Sequence, residues 1–196
     1  MKKIMILGAA LLFAGFAQAQ SPQVGVKAGV NFAKFAGDPD PESEFNTGLA
    51  AGLFVNIPLS SAFSFEPAAE YSQKGAEFTT ALNSEVKSKI TYIDIPLVAK
   101  YNVTPAFGLF AGPQVSFFLD QETKLVNGNS TTTFEGSNDS YRKSLAGGKV
   151  GLSYNFGSVM LNASYATDFQ NLYTDESGNS DLKNQVINVG LALGFK

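Results

Sequence analysis

The sequence contains no cysteine, no histidine and no tryptophan. Without cysteine the chain has no disulfide framework, no thiolate nucleophile and no attachment point for a lipoprotein anchor. Without histidine it lacks the base of a Ser-His-Asp triad, the commonest general acid–base group and the most frequent zinc ligand. No glycine-rich phosphate loop is present either. We therefore expect no enzyme activity and no cofactor.

The chain also lacks a basic excess and, beyond its N-terminus, a long apolar run. Its 14 Lys and Arg residues are outnumbered by 17 Asp and Glu residues, which disfavours a nucleic-acid partner. After residue 19 no segment approaches the roughly 20 consecutive apolar residues of a transmembrane helix. The sequence therefore predicts no membrane-spanning helix.

The N-terminal segment has the pattern of a secretory signal. Lys2 and Lys3 are followed by an apolar run over 4–16 and by Ala17-Gln18-Ala19, a small-x-small cleavage site. We expect residues 1–19 to be a cleaved signal peptide and residues 20–196 to form a single domain with a net charge of −5, from 12 basic and 17 acidic residues. An uncleaved anchor is the alternative, but the apolar run is short for spanning a bilayer.

The C-terminal stretch 188–195 alternates strictly between two kinds of side chain. One set is hydrophobic, namely Val189, Leu191, Leu193 and Phe195, and the other is small or polar, namely Asn188, Gly190, Ala192 and Gly194. Successive side chains of a strand point to opposite faces, so one face of this strand is apolar. A strand of a soluble sandwich has the same pattern, but the export signal favours a membrane barrel with lipid outside and polar groups inside.

Eight alternating segments are visible, and each exceeds the roughly 9–11 residues that a tilted strand needs to cross a bilayer. They cover 24–35, 47–57, 62–78, 88–101, 106–120, 140–156, 158–171 and 184–195. The connections alternate between short links (57–62, 101–106 and 155–158) and long polar links (36–46, 79–87, 121–139 and 172–183). Outer-membrane barrels place short turns in the periplasm and long loops outside. The sequence therefore predicts an all-β fold, an eight-stranded antiparallel up-and-down transmembrane β-barrel.

The alternation also predicts which residues face lipid and which face the interior. Leu53, for example, should face lipid together with Leu49, Val55 and Ile57, and Ser116 should face inward. The charged residues within strands share the inward parity, with four of each sign. They are Lys27, Glu66, Glu70, Lys74, Asp94, Lys100, Lys149 and Asp168. Because an eight-stranded barrel has room inside only for side chains, we expect these residues to form an ion-pair network that fills it.

Three prolines fall within predicted strands. Pro67, Pro96 and Pro113 lack the N–H that a ladder requires, and a closed barrel has no free edge to hold them. We expect each of them to mark a bulge or a local break in the ladder.

Several phrases resemble the PorT-like outer-membrane β-barrel proteins of Bacteroidota. They are TYIDIPLVAKY at 91–101, the FGLFAGPQVSFFL that follows it, GVKAGVNFAKF near the start and EPAAEYSQKGAE in the third segment. The resemblance covers essentially the whole chain after the signal and implies an integral outer-membrane barrel akin to the small OmpA and OmpX barrels, with no reaction attached. Asn188, Gly190, Leu193 and Phe195 resemble the C-terminal signal read by the barrel-assembly machinery, although the chain ends in Lys196 and not in the aromatic residue.

Two acidic groups are weaker candidates for chemistry. Glu66 and Glu70 could act as paired carboxylates, although ion pairing with Lys74, Lys100 or Lys149 is the simpler interpretation. The acidic segment 38–44 carries oxygen ligands of the kind that calcium prefers, but its spacing matches no known calcium loop, and a solvated loop is favoured.

The leading hypothesis is a small structural or interaction barrel of the outer membrane. Its loops, chiefly 121–139, would contact lipopolysaccharide, partner proteins or host surfaces. A transport role, as a narrow pore or as a secretion accessory, is a second hypothesis. A third is a soluble lipocalin-like periplasmic carrier, which requires an apolar interior and a polar exterior.

Overall fold

The computed structural model describes residues 21–37, 43–79, 85–127, 130–135, 141–173 and 182–195. The predicted signal peptide 1–19 and most of the acidic segment 38–44 lie outside these ranges. No helix in the described part of the chain is long and apolar enough to cross a membrane.

The described residues form nine strands. They are β1 (Gln23–Ala36), β2 (Glu44–Pro58), β3 (Phe63–Thr79), β4 (Glu85–Asn102), β5 (Phe107–Asn127), β6 (Ser130–Glu135), β7 (Ser144–Phe156), β8 (Val159–Asp168) and β9 (Lys183–Phe195). Eight of them cover the predicted segments, with ends that differ by up to seven residues.

The eight long strands close into one antiparallel barrel. Neighbours along the chain pair with each other, and β1 pairs with β9 from Val24↔Phe195 to Ala36↔Lys183 to complete the circle. The remaining strand, β6, pairs only with the C-terminal end of β5 and takes no part in the closure. The predicted eight-stranded up-and-down barrel is therefore confirmed.

The extension of the sheet beyond the barrel was not predicted. The sequence suggested a polar loop over 121–139, whereas β5 continues to Asn127 and pairs there with both β4 and β6. We call this extension the projecting sheet and define it as residues 77–79 of β3, 85–89 of β4, 122–127 of β5 and the whole of β6. It lies at the end of the barrel that carries the long connections.

The barrel is apolar outside and polar inside. Leu53 is 60% exposed, and Leu49 on the same strand and Val115 on β5 are exposed as well, while Gln114 and Ser116 are buried. This distribution is the reverse of what a soluble carrier of the lipocalin type requires. Ile57 departs from the pattern, since it was predicted to face outward but is only 7% exposed. Its cross-strand partner is Phe65, and directly opposite residues share a face, so the phenyl ring can shield it.

The three strand prolines do not cause bulges. Pro67, Pro96 and Pro113 keep the register of their strands, and the two shifts in register lie elsewhere, between Phe45 and Ala50 and between Thr91 and Tyr92. Each proline instead interrupts the ladder on one side and pairs normally on the other. Proline removes only its own N–H, which points to one neighbouring strand, so a one-sided gap is sufficient. The expected local breaks are thus confirmed and the expected bulges are wrong.

The two ends of the barrel differ as predicted. One end carries the short turns after β2, β4 and β7, and Gly157 occupies the last of these with a φ of +72°. We call this the short-turn end. The projecting sheet lies at the opposite end, where outer-membrane barrels carry their long loops.

Candidate functional site

Glu70 is the centre of the ion pairs inside the barrel. Its carboxylate lies 2.9 Å from Nζ of Lys149 on β7 and 3.3 Å from Nζ of Lys27 on β1, and Lys27 also lies 3.3 Å from Glu66. These contacts join β1, β3 and β7 across the interior. The sequence analysis named Lys74, Lys100 and Lys149 as partners of the two glutamates, and of these Lys149 contacts Glu70. Lys27 was predicted only as a member of the network.

A second buried pair lies nearer to the long-connection end. Nζ of Lys74 lies 2.9 Å from a carboxylate oxygen of Asp94 and donates a 2.9 Å hydrogen bond to Oγ of Ser116. The same ammonium sits over the ring of Tyr92, 4.8 Å from its centroid. Together the two groups form what we call the ion-pair layer, which consists of Lys27, Glu66, Glu70, Lys74, Asp94 and Lys149.

The remaining two predicted network residues are placed apart from this layer. Asp168 on β8 accepts a 2.7 Å hydrogen bond from Nδ2 of Asn184, and Lys100 on β4 lies 2.8 Å from Sδ of Met160. Among the described residues neither has an oppositely charged group within 4.0 Å. The structure therefore brings six of the eight predicted charges together and leaves one charge of each sign outside.

An apolar cap fills the interior at the long-connection end. Its buried members are Phe35, Ala76, Ile90, Tyr92, Leu145 and Leu172. Phe118 meets Tyr92 edge-on at 6.0 Å and stacks on Tyr141 at 5.5 Å, and Tyr141 in turn contacts Tyr173 at 4.9 Å. Burial, together with the hydrogen bond to Tyr173, raises the pKa of Tyr141. The cap was not identified from the sequence, because its residues come from several strands and connections whose meeting depends on closure of the barrel.

The ion-pair layer and the cap leave very little free space. The cavity beside Lys27, Glu66, Glu70 and Lys149 has a volume of about 30 Å³. A water needs roughly 10–15 Å³ by this measure, so the cavity accommodates about two. The cavity at the ion pairs is therefore too small to hold a solute.

The two interior glutamates form ion pairs with lysines. Glu66 and Glu70 both contact Lys27, so the structure places them in ion pairs. Within the described ranges no group of three or more acidic side chains is arranged to hold a metal ion.

The predicted C-terminal signal residues lie along the closing seam. Nδ2 of Asn188 donates a 2.7 Å hydrogen bond to Oδ1 of Asn31, whose own amide donates to Ser72 at 3.0 Å. Gly190 lies opposite Gly29, and the close approach of the two backbones leaves no room for a Cβ at either position. Leu193 and Phe195 are exposed on the outer face.

Aromatic residues surround the apolar belt near the short turns. Phe63 contacts Tyr101 at 4.9 Å and Tyr154 contacts Phe156 at 4.6 Å, and all four are exposed. Such rings are typical of the level of the lipid headgroups in outer-membrane barrels.

The projecting sheet has polar and charged surfaces. Lys87 forms an ion pair with Glu77, Lys124 lies 3.1 Å from Glu122, and Thr132 and Thr133 are exposed. In the described part of the chain β6 pairs only with β5, so its other edge has no partner strand. A signal for this hairpin was present in the sequence, since Asn127-Gly128 separates Leu125-Val126 from a threonine run.

Comparison with known proteins agrees with this geometry. The model of the family described as "Outer membrane protein beta-barrel domain" matches residues 16–174. The chain belongs to this family. Its residues 175–196, which include the whole of β9, lie beyond the matched range and complete the barrel in the structure. None of the curated protein sequences matches the chain.

Solved structures of other proteins share the fold. Neisserial surface protein A is 14% identical, with a TM-score of 0.57, and the match covers 90% of this chain and 100% of that one. Ail, the attachment invasion locus protein of Yersinia pestis, is 11% identical, with a TM-score of 0.53 and the same coverage. At these identities the likeness concerns the fold alone. The chain is therefore a small barrel of the outer-membrane type.

Proposed function

We propose that this outer-membrane barrel acts through contacts made by its projecting sheet and that its interior does not transport solutes. The projecting sheet carries this proposal, because it extends five residues of β4 beyond Ile90 and ends in an edge of β6 that has no partner strand among the described residues. Five extended residues reach roughly 16 Å along the strand. An unpaired edge offers backbone N–H and C=O groups to a partner strand. The name of the Yersinia pestis protein describes attachment, but a shared fold transfers no partner.

The partners that fit this surface are lipopolysaccharide or a protein at the cell surface. A photoactivatable amino acid at Thr133 tests this in growing cells, with the same residue at Ser60 in a short turn as the control. We expect adducts at position 133 that stain for lipopolysaccharide or contain a second protein. The same residue at Thr123, on the neighbouring strand β5, gives a second test position. The absence of adducts from both positions would contradict an interaction role for the projecting sheet.

A transport function is the second candidate, and the free space inside argues against it. The cavity within the ion-pair layer is about 30 Å³, and the apolar cap lies beyond it. We also propose that the chain has no enzyme activity, since Glu66 and Glu70 are held in ion pairs and the sequence contains no histidine.

We also propose a narrower family placement for the chain. Placement among the PorT-like proteins of Bacteroidota is supported by the phrase 91–101, whose inward residues Tyr92, Asp94 and Lys100 each enter a different part of the interior. Free variation of Asp94 and Lys100 among close relatives would contradict a shared design.

Export and assembly can be tested together. We propose that residues 1–19 are removed by signal peptidase and that the assembly machinery recognises the C-terminal strand through Phe195. N-terminal sequencing of the protein from outer-membrane fractions should begin at Gln20. Boiled and unboiled samples should migrate differently, and Phe195→Ala should reduce the compact unboiled band. A protein that stays in the soluble fraction would contradict the localisation.

A further inference from the structure

A cavity of about 460 Å³ occupies the short-turn end of the barrel. Its rim includes the turn residues Pro105, Gly157 and Ser158, so it lies next to the periplasmic side. We call it the vestibule. Its size lies within the range of small-molecule sites, roughly 300–1,000 Å³.

Lys100 is the one charged residue among those that line the vestibule. Its side chain is 4% exposed, and its Nζ contacts Sδ of Met160 at 2.8 Å. A thioether is a weak acceptor, whereas an ammonium group has three donors to satisfy. In the described part of the chain no carboxylate lies within 4.0 Å of this ammonium, and Glu66 is already held by Lys27 at 3.3 Å.

The other interior lysines show what is missing at this position. Lys27, Lys74 and Lys149 each contact a carboxylate at 3.3 Å or less. A buried charge is costly unless it is paired, and the other three lysines satisfy that rule within the protein. Lys100 instead lines a cavity with space for a counter-ion.

The remaining lining residues suit an oxyanion. Asn56 uses one amide hydrogen on Ser64 and Asn155 uses one on the carbonyl of Pro105, so each retains a second N–H. Phe54 and Met160 add an apolar wall beside these donors. We propose that the vestibule binds a carboxylate or phosphate group of a periplasmic solute, with Lys100 as its cation.

Met160 allows the proposal to be tested directly. The sequence has three methionines, and the methyl signal of Met160 in the folded protein can be assigned with Met160→Leu. We would titrate inorganic phosphate and acetate into detergent-solubilised protein and follow that signal by NMR, with chloride at equal ionic strength as the control. A saturable shift with phosphate or acetate, and none with chloride, is expected; the more strongly bound anion identifies the preferred group.

Variants at Lys100 separate binding from folding. Lys100→Met should weaken anion binding by about tenfold or more, because it removes a charge-assisted hydrogen bond. Lys34→Met removes the same charge at the other end of the barrel and should bind as the wild type does. Each variant is first checked for the compact unboiled band. If Lys100→Met does not fold, the wild-type titration still decides: no saturable shift up to roughly 50 mM anion, or an equal shift with chloride, overturns the proposal.

Discussion

Substitutions of single interior residues should lower the free energy of unfolding by very different amounts, and Glu70 offers a direct test. Replacing Glu70 by Gln removes the negative charge that lies between Lys27 and Lys149 and leaves buried positive charge uncompensated. Removing one partner of a buried pair costs about 3–5 kcal/mol. We expect a loss of that order in the free energy of unfolding, measured in guanidinium by the disappearance of the compact unboiled band.

Glu122→Gln is the matched control for this measurement. Glu122 pairs with Lys124 on the exposed projecting sheet, and surface pairs contribute about 0–1 kcal/mol. Equal losses in the two variants would show that the interior pairs are not desolvated as described.

Backbone conformation at one glycine gives a second prediction at this scale. Gly75 has a φ of +137°, which side chains of L residues rarely adopt, and a Cβ there would collide with the carbonyl oxygen of Ser88. We expect Gly75→Ala to lower the stability by about 1–3 kcal/mol in the same unfolding assay. Gly194→Ala is the control, because a Cβ at Gly194 meets its nearest atom at 3.9 Å, an ordinary contact. A stable Gly75→Ala variant would contradict the strained conformation.

The strands themselves are tested by charge on their lipid-facing side. Leu53 is 60% exposed in the middle of β2, and an arginine in mid-membrane costs about 2–4 kcal/mol. Leu53→Arg should therefore prevent assembly, measured as loss of the heat-modifiable band from outer-membrane fractions. Thr133→Arg, on the projecting sheet, should assemble normally.

Ser116→Ala extends this comparison to the inner face. From the sequence alone it should be tolerated, but Ser116 accepts a hydrogen bond from Lys74, and such bonds contribute about 1.5–3 kcal/mol. The structure therefore predicts that Ser116→Ala assembles with reduced stability. If Leu53→Arg assembles as well as Ser116→Ala, the facing of β2 is wrong.

Strand alternation explains how far sequence reasoning reached at the level of elements. The facing of Leu53 and Gln114 follows from parity alone, and so does the sorting of short and long connections. The strand β6 was missed because a threonine run has no apolar alternation, although Asn127-Gly128 marks a hairpin. The pairing of Glu70 with Lys149 depends on how β3 and β7 face each other across the interior, which periodicity along one strand does not specify.

At the scale of the whole molecule, the interior consists of successive parts along the barrel. The vestibule lies at the short turns, the ion-pair layer follows, and the apolar cap closes the end beneath the projecting sheet. Lys100 and Asp168, the two charges outside the layer, lie at opposite ends of it. Among the described residues, the short-turn end therefore holds the larger cavity, while the opposite end presents the surface of the projecting sheet.

This arrangement predicts that the barrel does not conduct ions. The ion-pair layer and the apolar cap separate the vestibule from the opposite end of the barrel. The cavity within the ion-pair layer has a volume of about 30 Å³. We expect no stable conductance steps when protein with a verified compact band is reconstituted into planar lipid bilayers. Glu70→Ala should remain closed too, because the apolar cap formed by Tyr92, Leu145 and their neighbours persists. Stable steps in the wild type that Glu70→Ala or Lys100→Ala abolishes would show that ions pass these residues, and the transport hypothesis would then replace the interaction role.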